Sequence, residues 1–230
     1  MKKRTKVLAV ILAVILLMIA TVFGTMAYLT DTQSVKNTFT VGKVKIKLDQ
    51  ADVKADGTYV TDKTSRVTDG NEYKLMPGHT YIKDPTVTVL KNSESSYIRV
   101  LVTFNKADEL KEVFGNPFLP EVLVGGWDKA AWVSTGVITE GTREVADPEN
   151  TDQTITEKTL TYEFRYYTTV DTLDGNDKVL DELFEYFTIP GTVTDTQLAK
   201  LEGLDITIVA HAIQADGFAD ADAAWAAWTD

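Results

Sequence analysis

Apolar and polar residues alternate with a period of two through much of the chain after its first 40 residues. Such alternation is typical of strands that bury one face. It predicts strands within residues 44–48, 86–90, 97–104, 160–169 and 206–213. In the fourth segment the predicted buried face carries Leu160, Tyr162, Phe164 and Tyr166. The chain is therefore expected to be mainly β.

Helical spacing occurs only in short segments. Residues 177–187 place four apolar side chains at intervals of three, four and seven, and residues 195–201 follow a Thr194 cap; both segments predict helices. The alanine-rich tail, residues 220–230, predicts a third short helix that docks Trp225 and Trp228 on the sheet. Because no helix recurs between the strands, we expect an antiparallel two-sheet sandwich with short helical inserts.

The first 27 residues have the order of a secretory signal. A basic stretch, residues 2–6, precedes an uncharged apolar run, residues 7–23, which ends in Gly-Thr-Met-Ala. The pattern predicts a signal helix over residues 1–27, cleavage between Ala27 and Tyr28, and one secreted domain over residues 28–230. The alternative is a retained membrane anchor, because the run is close to the ~20 residues that span a bilayer.

The net charge and the cysteine content of the chain exclude several classes of function. The chain carries a formal charge of −11, and loss of the four cations at its N-terminus lowers that to −15. Such a charge repels nucleic acid and anionic lipid, so neither is an expected partner. We expect the protein to contact the membrane only through an uncleaved signal segment. Cysteine is absent, which excludes disulfides and thiolate chemistry and fits a Gram-positive cell surface.

Candidate catalytic and metal-binding residues are few. The two histidines, His79 and His211, lie far apart and form no His-Glu-x-x-His motif, so a metal pair needs them to converge in space. An acidic stretch offers Asp171, Asp174 and Glu182 as weak calcium ligands, although glycine falls fifth rather than sixth in the loop. The interpretation we favour for that stretch is an ordinary turn that caps the following helix. We predict no nucleophile and no cofactor.

Two tryptophan pairs are open to two interpretations. Trp127 and Trp132 follow a Gly-Gly turn, and Trp225 and Trp228 lie in the tail. Aromatic side chains of this kind line carbohydrate or peptide grooves, but more often they cover the core, which is the interpretation we favour.

Several stretches resemble one family of exported bacterial proteins. AYLTDT at 27–32 and NTFTVGKV at 37–44 resemble the signal-to-mature junction of the TasA/camelysin family, and YIRV at 97–100 and AHAIQADGF at 210–218 resemble it too. The resemblance implies a jelly-roll-like β-sandwich and export through a SipW-type signal peptidase. It also implies one of two activities, because some members form biofilm fibres and others are called metalloproteases.

Cleavage after Ala27 would free a segment suited to strand addition. Residues 28–41 carry alternating apolar side chains at Val35, Phe39 and Val41, so they are a candidate donor strand for the sheet edge of a second copy. The leading hypothesis is a secreted, self-assembling matrix or surface fibre subunit whose partner is itself. The alternatives are a metal-dependent endopeptidase that uses His79 and His211, and a monomeric adhesin.

Overall fold

The computed structural model describes residues 43–147 and 152–229, and residues Gly42–Asp230 form one compact unit. The signal helix predicted for residues 1–27 lies outside the described residues. In chain order the strands are β1 (Ile46–Ala51), β2 (Arg66–Val67), β3 (Thr80–Ile82), β4 (Thr86–Val89), β5 (Ser96–Phe104), β6 (Val124–Gly125), β7 (Trp132–Ala146), β8 (Thr154–Tyr166), β9 (Lys178–Val179), β10 (Tyr186–Thr188) and β11 (Ile206–Gln214). The helices are α1 (Ala107–Phe114), α2 (Asp195–Lys200) and α3 (Ala221–Ala226), with a single 3-10 turn at Pro120–Val122.

The described strands form three antiparallel sheets, where the sequence predicted two. Their orders are β2-β1-β4-β9, β3-β10-β6 and β11-β5-β8-β7. The prediction of a mainly β fold with antiparallel sheets and few helices is confirmed.

The core lies on one face of the β5–β8 pair. Burial alternates along β5, so that Ile98, Val100, Val102 and Phe104 are almost completely buried while the intervening side chains are half-buried. On β8 the predicted inward face is confirmed for Leu160, Tyr162 and Phe164. Alternation with a period of two therefore predicted the buried face of both strands correctly. We call the opposite face of β5 and β11 the outer face.

The helix predicted for residues 177–187 is wrong. This segment contains β9 and the first two residues of β10, and its amide groups bond to other segments rather than to carbonyls one turn earlier. The Leu180 N–H donates to the Val87 carbonyl, and the Leu183 N–H donates to the Pro85 carbonyl. The side chains that suggested a helix are nevertheless all buried: Leu180, Leu183, Phe184 and Phe187. These apolar side chains have the spacing of a helix, but they belong to a largely irregular segment and pack in the core.

The other two predicted helices are present. α2 begins at a capping box in which the Thr194 hydroxyl accepts from the Gln197 N–H and the Gln197 side chain accepts from the Thr194 N–H. α3 is capped by Asp220, whose carboxylate accepts from the Ala223 N–H. Both caps satisfy amides that the first turn leaves without partners.

One guanidinium fastens the short strand β2 to its neighbours. Arg66 donates to the Asp49 carboxylate at 2.5 Å, to the Asp84 carboxylate at 2.9 Å and to the Thr86 hydroxyl at 2.7 Å. It also donates to the backbone carbonyls of Asp49 and Asp84. These five bonds join β1, β2 and the start of β4. The backbone pairing of β2 with β1 covers only two residues and could not hold β2 in place alone.

Replacing Arg66 by lysine should destabilise the fold by about 2 kcal/mol. A lysine ammonium has three donors and no planar fork, so it cannot replace the five bonds, and hydrogen bonds to charged groups contribute about 1.5–3 kcal/mol each. Urea denaturation measures the difference. The matched control is Arg143→Lys, because Arg143 joins two more exposed carboxylates, those of Glu157 and Asp205. Equal effects of the two substitutions would contradict the role given to Arg66.

Candidate functional site

The structure places the two histidines in separate settings. His79 precedes β3, where its Nε2 lies 2.8 Å from the Asp56 carbonyl oxygen and its ring contacts Tyr81 edge-on. His211 lies on β11, where its Nδ1 accepts from the Arg99 Nε–H at 3.2 Å and its ring stacks on Trp228. Both rings are thus engaged by local partners on different sheets.

The acidic stretch forms a turn followed by strand β9. The Asp174 carboxylate accepts from the Asn176 N–H at 3.0 Å, and this bond lowers the pKa of Asp174. The Asp177 carboxylate accepts from the Lys91 N–H, and Asp171 and Glu182 are exposed. The helix that an EF-hand places after its loop is replaced here by a strand. Across residues 43–147 and 152–229, no group of three or more histidine or acidic side chains could hold a metal ion.

The first tryptophan pair belongs to the core. Trp132 is completely buried and its indole N–H donates to the Asp181 carbonyl at 2.8 Å. The Trp127 indole N–H donates to the Trp132 carbonyl, and its ring meets Phe164 edge-on. This arrangement fills space between strands and leaves no open aromatic groove at the pair.

The second tryptophan pair holds α3 against the outer face, as predicted. The Arg99 guanidinium lies 4.4 Å from the Trp225 ring and 5.4 Å from the Trp228 ring. Arg165 reinforces the contact by bonding to Asp222 in α3. Cation–π contacts of this kind contribute about 0.5–2 kcal/mol each. The tail therefore has a structural role on β5 and β11.

Among the described strands, β11 is a long strand at the edge of its sheet. It pairs with β5 over nine consecutive residues, from Ile206 opposite Phe104 to Gln214 opposite Ser96, and with no other described strand. β1 approaches it without pairing. The β11 sequence, ITIVAHAIQ, contains no charged residue and no proline. Natural edge strands are commonly protected by such residues or by bulges, so β11 offers a template for another strand.

The opposite edge of the same sheet is protected. β7 carries Glu140, Arg143 and Glu144, and its register with β8 is irregular between Ser134 and Ile138. Charges and an irregular register both oppose the addition of a further strand. The sheet thus has one edge suited to association and one that is not.

Five sequence-predicted site residues fall outside the described residues. They are the cleavage pair, Ala27 and Tyr28, and the donor-strand residues, Val35, Phe39 and Val41. These stay predictions. None of the helices within the described ranges is long and apolar enough to cross a membrane.

One site residue escaped the sequence analysis. Lys83 is buried beside Gln50 and lines a cavity of about 850 Å³. A lysine is exposed in most proteins, so composition and periodicity carry no signal for its burial. The only hint is its position directly before Asp84-Pro85 and a buried strand.

Comparison with known proteins adds no relative. No protein-family model, no curated protein and no solved structure matches this chain. The resemblance to the TasA/camelysin family thus stays a prediction that rests on the residues quoted above.

Proposed function

We propose that this chain is a secreted structural subunit of extracellular matrix or cell-surface fibres. In this proposal a SipW-type signal peptidase cleaves between Ala27 and Tyr28, and residues 28–41 of one copy add as a strand to β11 of the next. Membership of the TasA/camelysin family, with its jelly-roll-like two-sheet sandwich, is part of the same proposal.

The observation that carries the proposal is the uncharged edge of β11. Among the described strands β11 pairs only with β5, over nine residues, and the outer side of such an edge strand can accept a further strand through backbone hydrogen bonds. Backbone hydrogen bonds supply affinity in strand addition, and alternate side chains supply specificity. Because the donor and acceptor surfaces differ, the contact is heterologous and repeats into a fibre rather than closing into a dimer.

Deleting the donor segment should abolish assembly while leaving the fold intact. A chain that begins at Tyr28 is expected to form large assemblies as its concentration rises, and a chain that begins at Gly42 is expected to stay monomeric with an unchanged melting temperature. Size-exclusion chromatography and negative-stain microscopy distinguish the two. Assembly by the shorter chain would rule out residues 28–41 as the donor.

A matched pair of substitutions tests the acceptor edge. Val209→Lys adds a charge to β11 at a side chain that is 43% exposed, and Val133→Lys adds one to β7 at a side chain that is 49% exposed. We expect Val209→Lys to slow elongation by about tenfold or more, because a desolvated edge charge opposes pairing. Val133→Lys should leave elongation unchanged. Equal rates for the two variants would place the acceptor elsewhere.

A further inference from the structure

A cleft separates residues 69–75 from the start of β11. It consists of two adjoining cavities of about 850 Å³ and 270 Å³. Four residues line both cavities: Gly70, Lys83, Asp205 and Ile206. The larger volume is within the ~300–1,000 Å³ that is typical of small-ligand sites.

A buried cation lies in the wall that the two cavities share. Lys83 is 7% exposed, and its ammonium donates to the Gln50 side-chain oxygen at 3.0 Å. That oxygen is the one hydrogen-bond acceptor it meets among the described residues, although an ammonium has three N–H groups. Burial lowers the pKa of Lys83 to about 8, and the charges of Asp205 and Asp84 offset part of that effect. An additional acceptor at this point would relieve an unfavourable burial.

The walls and the mouth of the larger cavity differ in character. Partly buried apolar side chains line its walls: Tyr73, Leu75, Leu198, Leu204 and Ile206. Exposed carboxylates lie at its mouth: Glu72, Asp195 and Glu202. One exposed cation, Lys74, lies among them. The Asp205 carboxylate, whose charge acts on Lys83, is paired with Arg143. The cleft therefore runs from a negative mouth past apolar walls to a buried positive charge.

We propose that this cleft binds the C-terminal carboxylate of a short peptide with apolar terminal residues and a basic residue before them. The carboxylate accepts from Lys83, the apolar side chains pack against Tyr73 and Leu198, and the basic group faces the carboxylates of the mouth. A simple anion lacks the last two contacts and is repelled at the entrance. The proposal does not rest on donor-strand assembly, although the first residues of β11, Ile206 to Ile208, line the cleft.

Three probe peptides test the charge arrangement on the full chain in mild detergent. Isothermal titration at pH 7 compares Lys-Leu-Leu with its C-terminal amide and with Glu-Leu-Leu. We expect the free acid to bind about tenfold more tightly than the amide, which corresponds to one charged hydrogen-bonded contact. Glu-Leu-Leu should bind more weakly than Lys-Leu-Leu. Equal binding of acid and amide, or no binding of the acid at millimolar concentration, would overturn the proposal.

Substitutions locate the site. Lys83→Met should remove the preference for the free acid, whereas Lys74→Met, at the exposed lysine of the mouth, should preserve it. Glu72→Gln combined with Glu202→Gln should reduce the preference for Lys-Leu-Leu over Glu-Leu-Leu. The acid preference of the unmodified chain should also decline between pH 7 and pH 9.5 as Lys83 loses its proton. An acid preference that survives Lys83→Met would assign the carboxylate to another cation.

Discussion

Replacing Lys83 by methionine should stabilise the fold at pH 7 by about 2 kcal/mol. The folded chain lowers the pKa of Lys83 from 10.5 to about 8, chiefly through burial. At about 1.4 kcal/mol per pKa unit, holding the proton inside the fold costs on the order of 3 kcal/mol. Methionine removes that cost, but loss of the hydrogen bond to Gln50 destabilises the folded chain by about 1 kcal/mol.

The pH dependence separates this effect from ordinary repacking. Between pH 8 and pH 10.5 the unfolded chain holds a proton on Lys83 that the folded chain has released. The free energy of unfolding of the unmodified chain therefore gains a contribution that grows as pH rises through this window. The methionine variant lacks that contribution, so its advantage should disappear near pH ~9.5 and reverse by about pH 10.5.

Urea denaturation of both chains at pH 7 and pH 10 measures the difference. Lys74→Met is the control, because Lys74 is exposed and lies in the same cleft. A methionine variant that is less stable at pH 7 would mean that the Lys83 ammonium is well satisfied inside the fold. A residue that costs stability in the free protein is typical of a binding site, where function outweighs stability.

Replacing Trp225 by alanine should destabilise the fold by about 3 kcal/mol, whereas replacing it by phenylalanine should cost less than about 1 kcal/mol. Trp225 is 6% exposed and covers the Arg99 guanidinium, so alanine removes a large buried surface. The Trp225 indole N–H is buried and meets no acceptor among the described residues. Phenylalanine therefore keeps most of the packing and removes an unsatisfied donor.

Thermal unfolding of the three chains tests this contrast, and limited proteolysis reports whether α3 stays docked. We expect the alanine variant to lose its C-terminal residues to protease first. A phenylalanine variant as unstable as the alanine variant would show that the indole N–H has an acceptor, such as an ordered water.

The sequence predicted elements well where one face of a strand sets the pattern. β5, β8 and β11 alternate because the core-facing residues of each strand must be apolar, and this constraint is visible in any window of eight residues. β7 was missed because it is an exposed edge strand with polar residues on both faces. Its pairing with β8, rather than its composition, makes it a strand.

Long-range bonding explains the remaining differences. The spacing of the four apolar residues in segment 177–187 fits a helix, but the Leu180 and Leu183 amides bond to carbonyls in or next to β4, which lie far earlier in the chain. The division into three sheets depends on the same kind of contact. The Lys83 cleft is likewise beyond prediction, because it forms where residues 69–75, α2 and β11 meet. When each segment is considered alone, the charged residues that line the cleft resemble ordinary surface residues.

The docking of α3 limits what kind of assembly the edge of β11 can build. In cross-β fibrils, sheets stack face to face at about 10 Å, and that spacing leaves no room for a helix about 10 Å wide with its side chains. Here α3, which carries Trp225, and the following Trp228 occupy the outer face at Arg99 and His211. Chains joined at β11 would thus keep their sheets apart, and the resulting fibre would be a string of folded units that dissolves with its subunits intact rather than an amyloid.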